Sequence, residues 1–147
     1  MKNDRDQEAI PSYSIFDHTA DLGVEIYGTD ERELFCNAAF VLFDIMIDIQ
    51  LVHPVTEKKI FVEGRDLEEL LVNFLRELLY LFTGESFLLM ECVIADMDDF
   101  HLNGIVKGEP FDRGRHHINT EIKAVTYHRV EIRKTEGGLA GRIVFDV

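Results

Sequence analysis

The chain has 147 residues, of which 46% are hydrophobic, and this is enough to build the core of one domain. No apolar run approaches the ~20 residues of a bilayer-spanning helix, and no apolar stretch follows the charged start of the sequence, which argues against a membrane protein and a signal peptide. The formal net charge of −13, from 28 acidic and 15 basic residues, disfavours extensive direct binding of nucleic acid, because such binding depends on neutralisation of phosphates by Lys and Arg.

Residues 1–12 are predicted to form a flexible tail and residues 13–147 a single domain, since no linker or low-complexity tract divides the remainder. A first strand is expected over residues 13–16. Residues 17–20 interrupt it with Asp and Thr, which are common in turns. Residues 22–27 alternate apolar and polar side chains, and this pattern predicts a second strand.

Two predicted helices begin with the same motif. The pattern Gly-x-Asp-x-x-Glu-Leu-x-x-Asn occurs at residues 28–37 and again at residues 64–73, each time after a predicted strand. Its Asp and Glu have the spacing of a capping box, and apolar residues then recur at helical spacing. The similarity indicates either an internal duplication of a strand–turn–helix unit or a common way of starting a helix.

The second half is rich in predicted strands. They cover residues 87–95, 100–107, 118–127, 128–135 and 139–147, with a polar loop at residues 108–117. The last two strands are expected to form a hairpin across Glu136, Gly137 and Gly138. The sequence therefore predicts an α+β fold, in which two helices pack on a mostly antiparallel sheet.

The chain has two cysteines, Cys36 and Cys92. They are too few for a disulfide framework or a zinc site. One falls in a helical pattern and the other in a strand-like run, where cysteine usually behaves as a small buried hydrophobic residue in a reducing compartment. We therefore expect a cytoplasmic protein.

Oxygen ligands occur at two places far apart in the sequence. Asp21 ends the run Asp17-His18-Thr19-Ala20-Asp21, and Asp146 precedes Val147 at the end of an apolar strand pattern. If the fold joins the two segments, two aspartates and the carboxylate of Val147 would suit a hard divalent cation. The alternatives are an ordinary turn at the first segment and an exposed charged end at the second.

Other chemical signatures are weak, and we predict no catalytic residue. The six histidines lack the i, i+4 spacing of a zinc protease, and neither a glycine-rich phosphate loop nor a recognisable nucleophile motif is present. Residues 123–129 concentrate Lys, Tyr, His and Arg in an otherwise acidic chain. They form either an exposed strand with one polar face or a contact surface for a partner or an RNA end.

Four motifs in order resemble the archease family. They are Asp-His-Thr-Ala-Asp-Leu-Gly at residues 17–23, Asp-Leu-Glu-Glu-Leu-Leu-Val-Asn-Phe-Leu-Arg-Glu-Leu-Leu at 66–79, Glu-Ile-Lys-Ala-Val-Thr-Tyr-His at 121–128 and Phe-Asp-Val at 145–147. The likeness covers nearly everything after Pro11. One departure is Phe74, where the family commonly has Trp. The resemblance implies a fold with a duplicated strand–helix–strand unit.

The resemblance also implies a divalent-cation site. The cation is calcium in the family, and manganese or magnesium would also be compatible with oxygen ligands. Its implied ligands are Asp21, Asp146 and Val147. Residues implied to shape the site or to contact a partner are Asp17, His18, Lys123 and His128.

The implied function is that of a non-enzymatic activator. Archease-like proteins promote guanylylation and multiple turnover of the RtcB-type RNA ligase, a metal- and GTP-dependent enzyme of tRNA splicing and RNA repair. A first alternative is a chaperone-like modulator of tRNA-modifying enzymes, such as a tRNA cytosine methyltransferase. A second is a small metal-dependent hydrolase that uses the carboxylate site. Neither direct extensive nucleic-acid binding nor a membrane location is expected.

Overall fold

The computed structural model describes residues 12–17 and 21–147, and of Phe16 and Asp17 it describes the backbone alone. The tail predicted for residues 1–12 therefore lies outside the described part, except for residue 12. The helices are α1 (Glu31–Met46) and α2 (Leu67–Glu85), and a short 3-10 turn spans Ile49–Leu51. The strands are β1 (Tyr13–Asp17), β2 (Asp21–Gly28), β3 (Thr56–Glu63), β4 (Phe87–Met97), β5 (His101–Pro110), β6 (Ala124–Thr135) and β7 (Gly138–Asp146).

The strands form two antiparallel sheets. One has the order β1-β2-β7-β6 and the other the order β3-β5-β4. Each helix contacts strands of both sheets, since α1 packs on β2 and β4 while α2 packs on β6 and β3. This arrangement confirms the predicted α+β fold. Among the described residues, no helix combines the length and hydrophobicity needed to span a bilayer.

The two predicted repeats have the same topology. In the first, β2 leads into α1, and the sheet order is β2-β7-β6. In the second, β3 leads into α2, and the order is β3-β5-β4. The second unit is inserted between α1 and β6 of the first. A shared helix start would not by itself reproduce this strand order, so the structure supports an internal duplication.

Both helices are capped in the same way. The Asp30 carboxylate accepts a hydrogen bond from the backbone N–H of Glu33 at 2.9 Å, and that of Asp66 accepts one from Glu69 at 2.8 Å. Each bond satisfies one of the N–H groups that have no partner within the helix, which typically stabilises a helix by about 1 kcal/mol. The predicted starts of α1 and α2 are therefore confirmed.

The glycine and asparagine of the repeat motif also have equivalent roles. Asn37 and Asn73 each donate a side-chain hydrogen bond to the backbone carbonyl ten positions earlier, at 2.7 and 2.8 Å. A Cβ atom at Gly28 would lie 2.4 Å from the next helix's backbone, and one at Gly64 would lie 2.6 Å from it. Glycine thus allows the strand to approach the helix that follows it.

The helices meet through aromatic side chains in the core. The rings of Phe35 in α1 and Phe74 in α2 are fully buried, with centroids 5.6 Å apart. Phe74 is the position at which the archease-like motif commonly has Trp. Because the phenyl ring here is fully buried against a partner, the departure is accommodated within a packed core.

The predicted pair of strands at residues 118–127 and 128–135 is wrong. Ile118 forms an isolated bridge with Ile47, residues 119–123 lie outside the strands, and β6 then runs without a turn to Thr135. The backbone of Asn119 donates to Met46 at the end of α1 instead of joining a sheet ladder. The error arose because apolar and polar residues alternate through both regions, and alternation alone does not show whether a partner strand is available.

Strand β6 contains a bulge where the sequence predicted a strand break. Thr126 pairs with Val144 and Glu131 with Arg142, so residues 127–130 stand opposite a single residue of β7. Arg129, within this bulge, has φ of 59°, which is unusual for a residue other than glycine. A smaller correction concerns the polar loop, since β5 continues to Pro110 rather than ending at residue 107.

Candidate metal site

Asp21 and Asp146 lie directly opposite each other at the ends of β2 and β7. Directly opposed residues of antiparallel strands point to the same face, with Cβ atoms about 4.5–5.5 Å apart. Leu22, Val24 and Ile26 point from β2 into the core, so Asp21 lies on the other face of the sheet. Both aspartates are half-buried. The fold thus joins the two segments that the sequence had separated.

The end of β7 is held in place, as its apolar pattern predicted. Asp146 is flanked by Asp21 on one side and by Ala124 of β6 on the other. Its backbone oxygen accepts a hydrogen bond of 2.7 Å from the N–H of Lys123. Val147 is partly buried against the core. The strand end is therefore positioned by neighbours on both sides.

The two facing carboxylates have no basic partner in the part of the chain that the structure describes. The next acidic residue on this face, Glu25, differs in this respect, because Arg133 and Arg142 approach it to 2.6 and 3.6 Å. A hydrogen bond from Arg133 keeps the pKa of Glu25 below its usual range. Like charges opposed across a sheet are destabilising, so the aspartate pair is suited to an added cation.

The second repeat provides an internal comparison. The positions equivalent to Asp21 and Asp146 are Glu57 and Lys107, which also face each other across two strands. Their charged groups are 3.8 Å apart and form an ion pair. One copy of the unit therefore neutralises its acid with lysine, while the other copy places two acids together.

The donor chemistry at this strand end fits a hard cation. Among the side chains that the structure describes, those of residues 12–15 and 21–147, no cluster of three or more His, Cys, Asp or Glu is suited to hold a metal. Asp21 and Asp146 would therefore need a further oxygen, from the carboxylate of Val147, from the main chain or from water. Calcium accepts such mixed oxygen ligands and irregular geometry.

Comparison with known proteins places the chain in a family. Residues 13–147 match the model of the Archease protein family. The chain belongs to the archease family. The protein archease of Methanosarcina mazei is 35% identical over 139 residues, which cover 92% of this chain and 95% of that protein. That of Saccharolobus solfataricus is 38% identical over 136 residues, covering 92% and 98%.

Solved structures agree with the archease assignment. The solution structure of protein 1598 from Methanobacterium thermoautotrophicum is 34% identical, with a TM-score of 0.77 and coverage of 92% of this chain and 98% of that one. The crystal structure of an archease and possible chaperone from Thermotoga maritima is 22% identical, with a TM-score of 0.61 and coverage of 90% and 94%. The similarity to the Thermotoga maritima structure, at this lower identity, concerns the fold alone.

The four residues expected around the archease-like site have different positions. Lys123 adjoins Asp146 through its backbone. His128 lies in the bulge opposite Ile143, about 10 Å along the strand from the end of β7. The backbone of Asp17, at the end of β1, pairs with Gly23 of β2, and His18 lies outside the described residues. Among the members of this set that the structure describes, Lys123 is the one with a backbone hydrogen bond to a predicted ligand.

A groove of about 370 Å³ opens beside Lys123, between the end of α2 and the segment that precedes β6. Its lining combines an apolar floor with one acid, one base and one hydroxyl. The lining residues are Phe82, Thr83, Ile118, Glu121, Ile122 and Lys123. Lys123 therefore borders both the groove and the backbone of Asp146.

The bulge of β6 rests on α2 through a polar cluster that the sequence had not indicated. The guanidinium of Arg76 lies 4.6 Å from the ring centroid of Tyr127, and its Nε donates to the Val125 carbonyl at 3.0 Å. The Tyr127 hydroxyl donates to the side chain of Asn73 at 3.2 Å. The sequence feature that could have indicated this cluster is Arg76, a basic residue within a strongly apolar helix pattern.

A second cluster missed by sequence reasoning surrounds Glu109 at the end of β5. The Glu109 carboxylate is buried, pairs with Arg115 and lies 3.3 Å from His116 Nε2. His116 Nδ1 accepts the backbone N–H of Asp112 at 2.9 Å, so its Nε2 carries the hydrogen in the neutral ring. Burial raises the pKa of Glu109, but hydrogen bonds from the His53 backbone, Arg115 and His116 outweigh it and lower the pKa to about 2.

Proposed function

We propose that this archease-family protein is a cytoplasmic, non-enzymatic activator of an RtcB-type tRNA-splicing RNA ligase. It acts through a divalent cation bound at the ends of β2 and β7. The observation that supports this proposal most directly is the opposed pair Asp21 and Asp146. Family membership and the absence of a basic partner for the pair within the described residues support it further.

In this proposal Asp21 and Asp146 supply side-chain oxygens and Val147 supplies its carboxylate. The cation, calcium or a related ion such as manganese or magnesium, neutralises the facing carboxylates and offers a Lewis-acidic site at the surface. The backbone bond from Lys123 to Asp146 keeps the strand end in place. The Lys123 side chain is exposed and available to a partner. Asp17, His18 and His128 are proposed to shape the site or contact the ligase.

The charge of the chain favours a protein partner over direct RNA binding. With a net charge of −13, most of the surface repels a phosphate backbone. An RNA ligase needs a basic surface to hold its substrate, and such a surface attracts an acidic activator. The activator therefore docks on the ligase and supports guanylylation there, while the ligase contacts the RNA.

Multiple-turnover ligation by the cognate ligase tests this function. Wild type should raise the number of ligation cycles per ligase, and Asp146→Asn should reduce that gain strongly, because the site loses one charged ligand. Asp99→Asn is the matched control, since it removes the same charge from an exposed turn far along the chain from the site. A ligase whose turnover is the same with and without wild type would contradict the proposal.

A second candidate function is a chaperone-like modulator of a tRNA-modifying enzyme, such as a tRNA cytosine methyltransferase. It is favoured by the description of the Thermotoga maritima relative as a possible chaperone. Affinity capture with the folded protein separates the two candidates. Recovery of the methyltransferase without the ligase would favour the second, and recovery of the ligase would favour the first.

A further inference from the structure

The two cysteines, which the sequence places in unrelated elements, are in contact in the structure. Cys36 lies on α1 and Cys92 on β4, 56 positions later. The Cys36 thiol donates to the backbone carbonyl of Cys92 at 3.3 Å. Both residues are half-buried and neither is fully enclosed. The spacing has none of the regularity of a Cys-x-x-Cys motif, and sequence alone could not indicate the contact.

The two thiols differ in acidity. A hydrogen bond from the Cys92 thiol, helped by the backbone N–H of Ile94, lowers the pKa of Cys36 despite its burial. The same bond and burial raise the pKa of Cys92. Since thiolates and not thiols attack disulfides, Cys36 is the better nucleophile of the pair.

The contact joins the two repeats. Helix α1 belongs to the first unit and strand β4 to the second. Close by, Arg32 of α1 donates to the backbone carbonyl of Ile94 in β4 at 3.3 Å. These contacts hold the helix at a defined position over the strand. A bond between the two sulfurs would connect the units covalently, and it requires the two side chains to bring their sulfur atoms to ~2.05 Å.

We propose that Cys36 and Cys92 form a thiol–disulfide exchange site that a low-molecular-weight disulfide oxidises to an intramolecular disulfide. The Cys36 thiolate attacks one sulfur of the small disulfide and expels one small thiolate. The Cys92 sulfur, losing its proton to solvent, then attacks the Cys36 sulfur of this mixed disulfide and expels the second small thiolate. The protein loses two hydrogens and two electrons, and the small disulfide is reduced to two thiols. This site is independent of the ligase-activating function.

Oxidised glutathione and intact-mass spectrometry test the proposal. After incubation of the folded protein and alkylation with iodoacetamide, wild type should have lost two hydrogens and carry neither glutathione nor an alkyl group. Dithiothreitol should restore both thiols. Cys36→Ser and Cys92→Ser retain one thiol each and should accumulate a glutathione adduct, because no second thiol is present to displace it.

Three outcomes would overturn the proposal. Wild type could retain stable glutathione adducts, form disulfide-linked dimers, or keep both thiols open to alkylation at a reagent concentration that modifies the single variants. Oxidation of wild type unfolded in guanidinium serves as the control for proximity. There the yield of the intramolecular disulfide should fall and that of mixed disulfides should rise, since the two cysteines are then distant along a flexible chain.

Discussion

Asp21 lies directly opposite Asp146, whereas the equivalent pair in the second repeat, Glu57 and Lys107, is a salt bridge. The same backbone arrangement thus holds like charges in one copy and opposite charges in the other. Opposed like charges destabilise a sheet by roughly some tenths of a kcal/mol. A bound cation would therefore stabilise the first copy of the unit.

Asp21→Asn and Asp146→Asn should each abolish saturable binding of calcium or manganese. Each substitution should also leave the metal-free protein as stable as wild type or stabilise it by about 0.2–1 kcal/mol, because the repulsion between the carboxylates is removed. Calorimetric titration measures the metal affinity, and urea unfolding measures the free energy of unfolding of the metal-free protein. Unchanged metal affinity in both variants would exclude these ligands.

Asp146→Lys provides a sharper control. It recreates at this position the acid–base pair that Glu57 and Lys107 form in the second repeat. The variant should fold, lose metal binding and lose the destabilisation that wild type shows without metal. A variant that still binds calcium with the affinity of wild type would show that the cation lies elsewhere.

Additional residues after Val147 should weaken metal binding. An extension converts the carboxylate of Val147 into an amide, which removes one charged oxygen while leaving Asp21 and Asp146 in place. Wild type and a variant with two added glycines can be compared by calorimetric titration. Equal affinities would show that the third oxygen comes from the main chain or from water.

Acid should weaken the Glu109 cluster over a defined pH range. The folded-state pKa of Glu109 is about 2, below its ordinary value of 4.5. A lowered carboxyl pKa contributes stability that is present above the ordinary value and is lost as the pH falls towards the folded value. Urea unfolding of wild type and Glu109→Gln should therefore show a stability difference that is constant near neutrality and decreases from pH 5 to pH 2.

The partners of Glu109 provide the control for this acid sensitivity. Arg115→Gln removes a cation from the carboxylate and should also reduce the pH dependence. By contrast, Arg113→Gln lies in the same loop and has no ion pair with Glu109, so it should behave as wild type. A difference between wild type and Glu109→Gln that does not change between pH 5 and pH 2 would contradict the lowered pKa.

Gly64→Ala should destabilise the protein by about 1–3 kcal/mol, because overpacking forces backbone shifts. The new Cβ would lie 2.6 Å from the backbone nitrogen of Leu70. Gly137→Ala is the matched control, since nothing lies within 4 Å of the Cβ that it adds. Thermal and urea unfolding measure the difference in stability between the two variants. Equal stabilities would show that the strand can move away from α2.

At Arg129, glycine should be more stable than alanine. The positive φ of 59° costs an L-residue about 1–2 kcal/mol, and glycine avoids this cost. Lys134, exposed in the same strand, is the control position, and there glycine should be less stable than alanine by about 0.5–1 kcal/mol. If the glycine variant were less stable than the alanine variant at Arg129 as well as at Lys134, the backbone of the bulge would not be strained.

Much of the local structure could be predicted from nearby residues. The starts of α1 and α2 followed from Asp30 and Asp66, because each carboxylate bonds to an N–H three residues on. The split of residues 118–135 into two strands was wrong, because the bulge at Arg129 depends on pairing with β7. Strand pairing is decided by distant residues, and a local pattern does not contain it.

The candidate site shows the same division. The sequence by itself determined the oxygen donors at Asp21 and Asp146, the acidic charge, the repeat motif and, through four motifs in order, the likeness to the archease family. The tertiary structure decided that these two aspartates face each other, that Cys36 touches Cys92 and that Glu109 is buried beside basic side chains. Local hydrogen bonds act within a few residues and can be read along the chain, whereas strand register and helix packing determine which distant side chains meet.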